Sequence, residues 1–379
     1  MLDKSMLLRV FLTLSILSFI AFCISFLVDL PAGIFLCLFF VFLALALQKT
    51  QKLRGFSYTL MILAAVSISM SYPHLFLSIG DFKLSKLIVP LLQIIMFGMG
   101  SQMSIKDFEG VVKMPGGVFV GVICQFTIMP LIGISIALLF DFPAEIAAGI
   151  ILVGASPSGL ASNVMSFLAR ANLALSVTLT AVATLLAPLM TPLLMKLLAG
   201  EFVPVEFWPM MISIVKMVIL PIAFGILLNH LTKGKIAWIN NLMPKISMAG
   251  IAIIITIITA AGRESLMQMG LLLIAACFIH NIMGYTLGYW ICRLLKMDEK
   301  TCRTISLEVG MQNGGLASGI AMEMGRVATV GLAPAVFGPL MNITGSSLAT
   351  WWRSKKIEGE PDETESDTNT KSKPKIKKI

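Results

Sequence analysis

The chain has 379 residues, of which 57% are hydrophobic and only 13% are charged, and its formal net charge is +9. Soluble proteins are about 45–50% apolar and ~25% charged, so this chain has too few polar residues to cover a water-exposed surface. The composition excludes a water-soluble enzyme and predicts an all-α polytopic membrane protein.

Long apolar stretches, separated by short charged or Pro/Gly-rich loops, predict twelve membrane-spanning segments. They lie at residues 10–28, 31–48, 55–77, 87–103, 115–140, 143–169, 172–199, 206–229, 246–262, 266–292, 302–325 and 327–352. The first stretch is too long for the apolar region of a signal peptide and lacks an Ala-x-Ala cleavage site, so we expect it to be retained.

The placement of basic residues predicts the orientation of these segments. Loops on the side of both termini hold most of the Lys and Arg residues, whereas the opposite loops hold only Lys83, Lys86, Arg263 and Arg326. By the positive-inside rule, both termini should be cytoplasmic in a multi-pass protein of the cell (plasma or inner) membrane. The positive net charge is therefore a topology signal, and we expect no nucleic-acid partner.

Two short sequences recur in the same order along the chain. Ser158-Gly-Leu-Ala-Ser162 recurs as Gly314-Gly-Leu-Ala-Ser318, and Leu186-Ala-Pro188 recurs as Leu332-Ala-Pro334. The first pair falls in the middle of the sixth and eleventh segments, where Pro and Gly interrupt a helix. Because five segments separate them, the two copies enter the membrane in opposite directions. This pattern predicts a ten-helix inverted-repeat (5+5) secondary transporter core with two broken crossing helices.

The repeat divides the chain into four predicted parts. An additional N-terminal pair of transmembrane helices occupies residues 1–54, the first five-helix repeat 55–200 and the second, inverted repeat 201–352. Residues 353–379 contain many charges and almost no apolar residues, which predicts a disordered, charged cytoplasmic tail.

Glu308 is the acidic residue that this arrangement places near the middle of a span. Inserting a carboxylate into the membrane at that depth costs about 2.5–3.5 kcal/mol of free energy, and no Lys or Arg stands beside it at the same depth. We expect a bound cation to compensate it. A bound proton and a purely structural, hydrogen-bonded acid are the alternatives.

Oxygen-bearing residues collect near the two breaks and on the neighbouring segments. They are Gln125, Ser162, Asn163, Ser176, Thr180 and Gln312, together with the backbone carbonyls of Val309 and Met311. Such oxygens suit a hard cation, although each side chain alone is more typical of an inter-helix hydrogen bond.

The restarts of the two broken helices predict an anion site. Unpaired N–H groups and the positive dipole end of a helix favour negative charge. We expect Gly159, Asn163, Asn313 and Gly314 to contact a small carboxylate.

Several long motifs resemble those of the bile acid:sodium symporter family. They are residues 143–154 (PAEIAAGIILVG), 161–165 (ASNVM), 168–170 (LAR), 174–177 (ALSV) and 308–313 (EVGMQN), and the similarity extends from about residue 87 to 352. The resemblance implies a ten-helix fold of two inverted repeats and the import of an organic anion, either bile acid-like or a small carboxylate, coupled to two Na+ ions.

The resemblance also implies roles for the matching residues. It implies a first sodium site at Ser162, Asn163, Ser176, Thr180 and Glu308, and a second at Gln125, Glu308, Val309, Met311 and Gln312, with Asn313 at the substrate. The sequence departs from the family at Ser156, Ser158 and Gly314 and in its extra N-terminal helix pair. These departures leave the identity of the anion open.

Other functions remain as alternatives. Proton coupling through Glu308 is the nearest, followed by a transport-inactive sensor on the same fold. An intramembrane enzyme would need Ser156, in Gly154-Ala-Ser-Pro-Ser158, as its nucleophile, but this stretch lacks the last Gly of the G-x-S-x-G pattern and His280-Asn281 has no acidic partner. We therefore expect a transporter rather than an enzyme, monomeric, with sodium, an organic anion and the lipid bilayer as its partners.

Overall fold

The computed structural model describes residues 4–28, 30, 32–50, 56–232 and 237–355, and these residues are mostly helical. In chain order the α-helices are α1 (Lys4–Leu27), α2 (Gly33–Leu47), α3 (Ser57–Ser71), α4 (Ile88–Gln102), α5 (Gly110–Lys113), α6 (Pro115–Leu139), α7 (Ala144–Ala155), α8 (Ala161–Leu168), α9 (Leu173–Leu194), α10 (Phe207–Ile214), α11 (Leu220–Thr232), α12 (Ala237–Ala261), α13 (Arg263–Leu294), α14 (Glu299–Gly310), α15 (Gly314–Glu323) and α16 (Leu332–Arg353). A short antiparallel ladder, β1 (Ser78–Ile79) with β2 (Phe82–Lys83), lies between α3 and α4.

Helical length and composition confirm an all-α polytopic membrane protein. Within the described residues, seven helical stretches are long and apolar enough to cross a membrane. They are Ser5–Leu27, Leu84–Gln102, Pro115–Leu139, Leu173–Ala199, Phe207–Thr232, Leu242–Ala261 and Arg263–Leu294. Three shorter apolar helices, α2, α3 and α7, accompany them.

Helices occur at each of the twelve predicted segments, but their bounds differ from the apolar stretches. α1 begins at Lys4 rather than at residue 10, and α12 begins at Ala237 rather than at residue 246. Charged and polar residues can continue a helix beyond its apolar stretch, so hydropathy alone underestimates helix length. From residue 356 onward, the predicted tail lies outside the described residues.

Local sequence explains where the helices around the breaks begin. Asn172 accepts a hydrogen bond from the Leu175 N–H at the start of α9, and Asn313 does the same for the Leu316 N–H at the start of α15. Such side-chain caps satisfy N–H groups that a helix start leaves unpaired. The cap at Asn313 therefore fixes the point where the chain becomes helical again after the second break.

The two breaks lie against each other. α7 ends at Ala155 and α8 begins at Ala161, while α14 ends at Gly310 and α15 begins at Gly314. The non-helical segments pair through an antiparallel bridge in which the Gly159 N–H donates to the Met311 carbonyl (3.1 Å) and the Asn313 N–H to the Pro157 carbonyl (2.8 Å). Backbone groups that the breaks release from helices thus satisfy each other inside the protein, as membrane depth requires.

The helices form two bundles. In the first, α4 packs against α11 and α12, and α12 packs against α3. In the second, α6 packs against α7, α9, α13 and α14, and α13 also packs against α14 and α16. The N-terminal helices form a series in which α1 packs on α2 and α2 packs on α3. The paired breaks belong to the second bundle, on the side that faces α4 and α12.

Candidate functional site

Glu308 lies in the last turn of α14, beside the second break, and is 2% exposed. Its Oε1 atom accepts hydrogen bonds from the hydroxyls of Ser162 (2.6 Å) and Ser176 (2.5 Å). Its Oε2 atom accepts a hydrogen bond from the Thr180 hydroxyl (2.9 Å). The first hydroxyl comes from α8 and the other two from α9, so three helices meet at this carboxylate.

The three hydroxyls that bond Glu308 have more acceptors around them than protons. The side-chain oxygen of Asn163 lies 2.8 Å from the Ser176 hydroxyl and 3.2 Å from that of Thr180, and the Gly159 carbonyl lies 2.7 Å from the Ser162 hydroxyl. Each hydroxyl therefore has two acceptors within hydrogen-bond distance but carries a single proton. One added positive charge, a hard cation or a proton on the carboxylate, would remove this imbalance.

A second group of oxygens surrounds the side chains of Gln125 and Gln312, which are 2% and 0% exposed. The Gln125 amide donates to the Gln312 side-chain oxygen (2.8 Å) and to the Ser156 carbonyl (3.0 Å), and the Gln312 amide donates to the Val309 carbonyl (2.6 Å). Among the described residues, the buried Oε1 atom of Gln125 has no hydrogen-bond partner. An unpaired buried acceptor costs about 1–3 kcal/mol, which a bound cation would offset.

The remaining members predicted for the second sodium site are placed differently. The Met311 carbonyl already accepts the Gly159 N–H across the paired breaks, and the Glu308 carboxylate accepts its bonds from α8 and α9. The structure therefore brings Gln125, Val309 and Gln312 together, whereas the Glu308 carboxylate and the Met311 carbonyl bond to other residues.

A cavity of about 350 Å³ lies between the paired breaks and the first bundle. Three of the four predicted substrate residues, Gly159, Asn313 and Gly314, line it. The fourth, Asn163, directs its side-chain oxygen into the Glu308 cluster instead. Most of the remaining wall is apolar and comes from α3, α4, α8, α12 and α16; no Lys or Arg of the described residues lines it.

Comparison with known proteins identifies the family to which the chain belongs. A sequence profile of the sodium bile acid symporter family matches residues 89–269. A protein of Bacillus subtilis, described as the uncharacterized sodium-dependent transporter YocS, is 40% identical over 312 residues, which are 82% of this chain and 95% of that protein. The chain belongs to the sodium bile acid symporter family.

Plant members of the sodium bile acid symporter family are also similar to this chain. The probable sodium/metabolite cotransporter BASS1 of Arabidopsis thaliana, a chloroplast protein, is 36% identical over 69% of this chain and 65% of its own length. BASS2 of Oryza sativa, with the same description, is 35% identical over 69% of this chain and 63% of its own length. Names of these relatives describe sodium-dependent transporters, in agreement with the predicted class.

Sequence reasoning missed a polar contact that supports the second break. Asn281 of α13 donates to the Gly310 carbonyl at the end of α14 (2.8 Å) and accepts a hydrogen bond from Thr344 of α16 (2.6 Å). It stands in an apolar run, where its partners could not be recognised from spacing. Its contacts hold the end of α14, which carries Glu308, between two long helices.

The groups considered for an enzyme do not assemble in this member of the family. The Ser156 hydroxyl donates to the Leu152 carbonyl within its own helix (2.8 Å). The His280 ring lies against the Met129 carbonyl (2.9 Å) and meets Phe337 edge-on. Both side chains thus bond to backbone carbonyls and not to each other.

Proposed function

We propose that this chain is a sodium-coupled symporter that imports an organic anion by alternating access. The observation that carries the proposal is the Glu308 cluster: a buried carboxylate, three hydroxyls and an amide oxygen, with acceptors in excess of protons, beside a cavity at two paired helix breaks. A hard cation satisfies these oxygens, and the family relationship favours sodium.

Two sodium ions are proposed. The first binds among Ser162, Asn163, Ser176, Thr180 and Glu308. The second binds among Gln125, Glu308, Val309, Met311 and Gln312, where the unpaired Gln125 oxygen is the strongest support. Because both proposed sites include Glu308, its single carboxylate would balance part of the positive charge of both sodium ions.

The proposed anion lies in the cavity. Its carboxylate lies near Gly159, Asn313 and Gly314, where the positive dipole ends of α8 and α15 favour negative charge. The N–H groups of these three residues already donate to backbone carbonyls, so the helix dipoles rather than those N–H groups attract the anion. The apolar walls suit a substrate with an apolar body. With no basic side chain in the wall, binding of the anion depends on the nearby cations, which is a physical reason for coupling.

The cycle we propose moves the two bundles relative to each other around this midplane site. Each bundle combines helices of both inverted repeats, residues 55–200 and 201–352. With both termini cytoplasmic, the cavity lies on the cytoplasmic side, because it is lined by Tyr58, near the start of α3, and by Met99, near the end of α4. If two sodium ions accompany one monoanion, each cycle carries one positive charge inward. An inside-negative voltage then contributes ~2.3 kcal/mol per 100 mV.

Proton coupling is the second candidate, because a proton on Glu308 also supplies the missing donor of the cluster. A transport-inactive sensor on the same fold is a lesser alternative, since sensing does not require a carboxylate at this depth. Sodium coupling and proton coupling can be distinguished by measuring which of the two ions, sodium or the proton, stabilises the folded protein.

The test is the thermal stability of the purified protein titrated with NaCl or KCl. A ligand at 100 times its dissociation constant stabilises the native state by about 2.7 kcal/mol. We expect NaCl, and not KCl, to raise the melting temperature, and Glu308→Gln to abolish the rise. Glu323→Gln is the matched control and should keep the rise. Glu323 lies at the far end of α15, where its carboxylate accepts a hydrogen bond from Ser213 (3.2 Å). An absent sodium effect in the unaltered protein, with stability that changes with pH instead, would replace sodium by the proton.

A further inference from the structure

Lys216 lies inside the helical span Phe207–Thr232, nine residues after its first residue. At 1.5 Å per residue, its Cα is about 14 Å from the Phe207 end. The side chain is exposed on the surface of the helix. A charged group this far into an apolar span is costly unless it reaches the membrane surface or meets an opposite charge.

The backbone around Lys216 departs from the α-helix. Residues Val215–Ile219 form a π-helical turn between α10 and α11, and the Gln93 amide of α4 donates to the Lys216 carbonyl (3.3 Å). Turns of this type often mark functional sites in helices. Among the described residues no ion pair involves the Lys216 ammonium, which leaves it available for another partner.

A surface groove of about 830 Å³ runs between α4 and α11, with Lys216 towards one end. Further along α11 the wall consists of Leu220, Phe224, Leu227 and Leu231, which are 47–70% exposed. These residues extend over about 16 Å, a length comparable to that of an acyl chain. No Asp or Glu is among the described residues that line the groove, so its single charge is positive.

Lys196 provides a comparison within the same chain. It also lies in a π-helical turn, Met195–Ala199, and lines a second surface groove, of about 610 Å³. That groove includes Glu206, so the Lys196 ammonium has an acidic neighbour. Among the described residues, Lys216 has no acidic neighbour in its own groove. An anion from outside the protein would therefore be the partner that balances its positive charge.

We propose that the groove between α4 and α11 binds one anionic phospholipid, with the phosphate at Lys216 and an acyl chain along Leu220 to Leu227. Helical side chains lean towards the N-terminus of their helix, so the ammonium of Lys216 extends towards the Phe207 end and the membrane surface. The acyl chain extends in the opposite direction, over the exposed apolar wall. This site is separate from the Glu308 cluster and does not depend on the proposed transport function.

Native mass spectrometry of the full chain tests the proposal. The protein is incubated with equal amounts of phosphatidylglycerol and phosphatidylcholine that carry identical acyl chains. We expect the unaltered protein to retain phosphatidylglycerol preferentially and Lys216→Gln to reduce the ratio about fivefold, the factor equivalent to ~1 kcal/mol for one basic residue near anionic lipid. Lys196→Gln, the matched control, should leave the ratio unchanged.

Two further measurements distinguish a bound phospholipid from a bound free phosphate compound. Leu227→Trp, which narrows the groove, should lower the retention of phosphatidylglycerol while Lys216 is still present. Free glycerol 3-phosphate should not displace the lipid, because it lacks the acyl chain. The proposal is wrong if the unaltered protein shows no preference, if Lys216→Gln and Lys196→Gln act equally, or if glycerol 3-phosphate displaces phosphatidylglycerol.

Discussion

The Oε1 atom of Glu308 lies 2.6 Å from the hydroxyl of Ser162, although 146 positions separate the two residues in the chain. One stands just before the second helix break and the other just after the first. The oxygens around these two residues come from both breaks. They therefore surround a single point only when the two breaks are in contact. An ion bound at that point stabilises the contact between the breaks, which links ion binding to the arrangement of the helices.

Replacement of Gln125 by Leu should remove one of two bound sodium ions. The Oε1 atom of Gln125 is one of three buried side-chain atoms of the described residues that lack a partner, with the hydroxyls of Ser158 and Ser166. Leucine has a similar size but no oxygen. Counting bound radioactive sodium on the purified protein should give two ions for the unaltered chain and one for Gln125→Leu.

The control for that count is Gln102→Leu. The Gln102 amide donates within α4, to the Gly98 carbonyl (3.0 Å), so its loss should leave two ions bound. If Gln125→Leu stays folded but binds no sodium, the two groups of oxygens form a single cooperative site. If it still binds two, the proposed second site is wrong.

Arg303 should be essential for stability rather than for ion binding. It is 2% exposed; its guanidinium pairs with Glu299 (2.8 Å) and donates to the carbonyls of Ala169 and Trp352 (3.1 Å each). Arg303→Met leaves the carbonyls of Ala169 and Trp352 without their donor, whereas Glu299 keeps a hydrogen bond from Tyr289 (2.8 Å). Each buried carbonyl left without a partner costs about 1–3 kcal/mol of folding free energy. Thermal unfolding should show a markedly lower melting temperature.

Arg303→Lys should restore only part of this loss, because a single ammonium cannot reproduce the planar fork that reaches three acceptors. Lys113→Met is the control: it breaks an ion pair with Glu109 whose side chains are 69% and 49% exposed, and the melting temperature should barely change. Equal effects of Arg303→Met and Lys113→Met would contradict the role of Arg303.

The sequence predicts those features that depend on local chemistry. Apolar runs reveal the spans, and Pro157 with its neighbouring glycines reveals the first break, because proline and glycine act on their own backbone. The four-residue spacing of Ser176 and Thr180 places both hydroxyls on one helix face, and in the structure both bond Glu308.

Contacts between distant residues could not be predicted in this way. The pairing of Ser158 with Gln312 and the bond between Asn281 and Gly310 depend on how helices cross, which no spacing within one segment records. The sequence does not predict the π-helical turn at Lys216 either, because Val215–Ile219 has the composition of an ordinary apolar helix with one lysine.

The N-terminal helix pair should support α3 without contributing to the ion site. A side chain at Gly33 of α2 would overlap Ser71 of α3, and the Gln48 amide of α2 donates to the Ser57 hydroxyl at the other end of α3 (3.0 Å). Gly33→Leu should therefore separate the two helices and destabilise the protein by about 1–3 kcal/mol. The sodium-dependent rise in melting temperature should persist, because Glu308 lies in the other bundle.

Gly116→Leu is the matched control for Gly33→Leu. A side chain at Gly116 meets nothing within 4 Å, so the melting temperature should stay near that of the unaltered protein. Loss of the sodium effect in Gly33→Leu alone would show that the helix pair is part of the ion-binding mechanism rather than a support for α3.

Cysteine labelling should establish which side of the membrane the cavity faces. Ser247 lines the cavity near the middle of α12, whereas Ser78 is exposed in β1, between α3 and α4, on the side predicted to be extracytoplasmic. In a cysteine-free background, Ser247→Cys should react with an impermeant maleimide only in inside-out vesicles, and Ser78→Cys only in right-side-out vesicles. The reverse pattern would place both termini outside, and the inward driving force of sodium would then act on the opposite end of the cavity. Reaction of Ser247→Cys from both sides would contradict a cavity that opens to one side at a time, which alternating access requires.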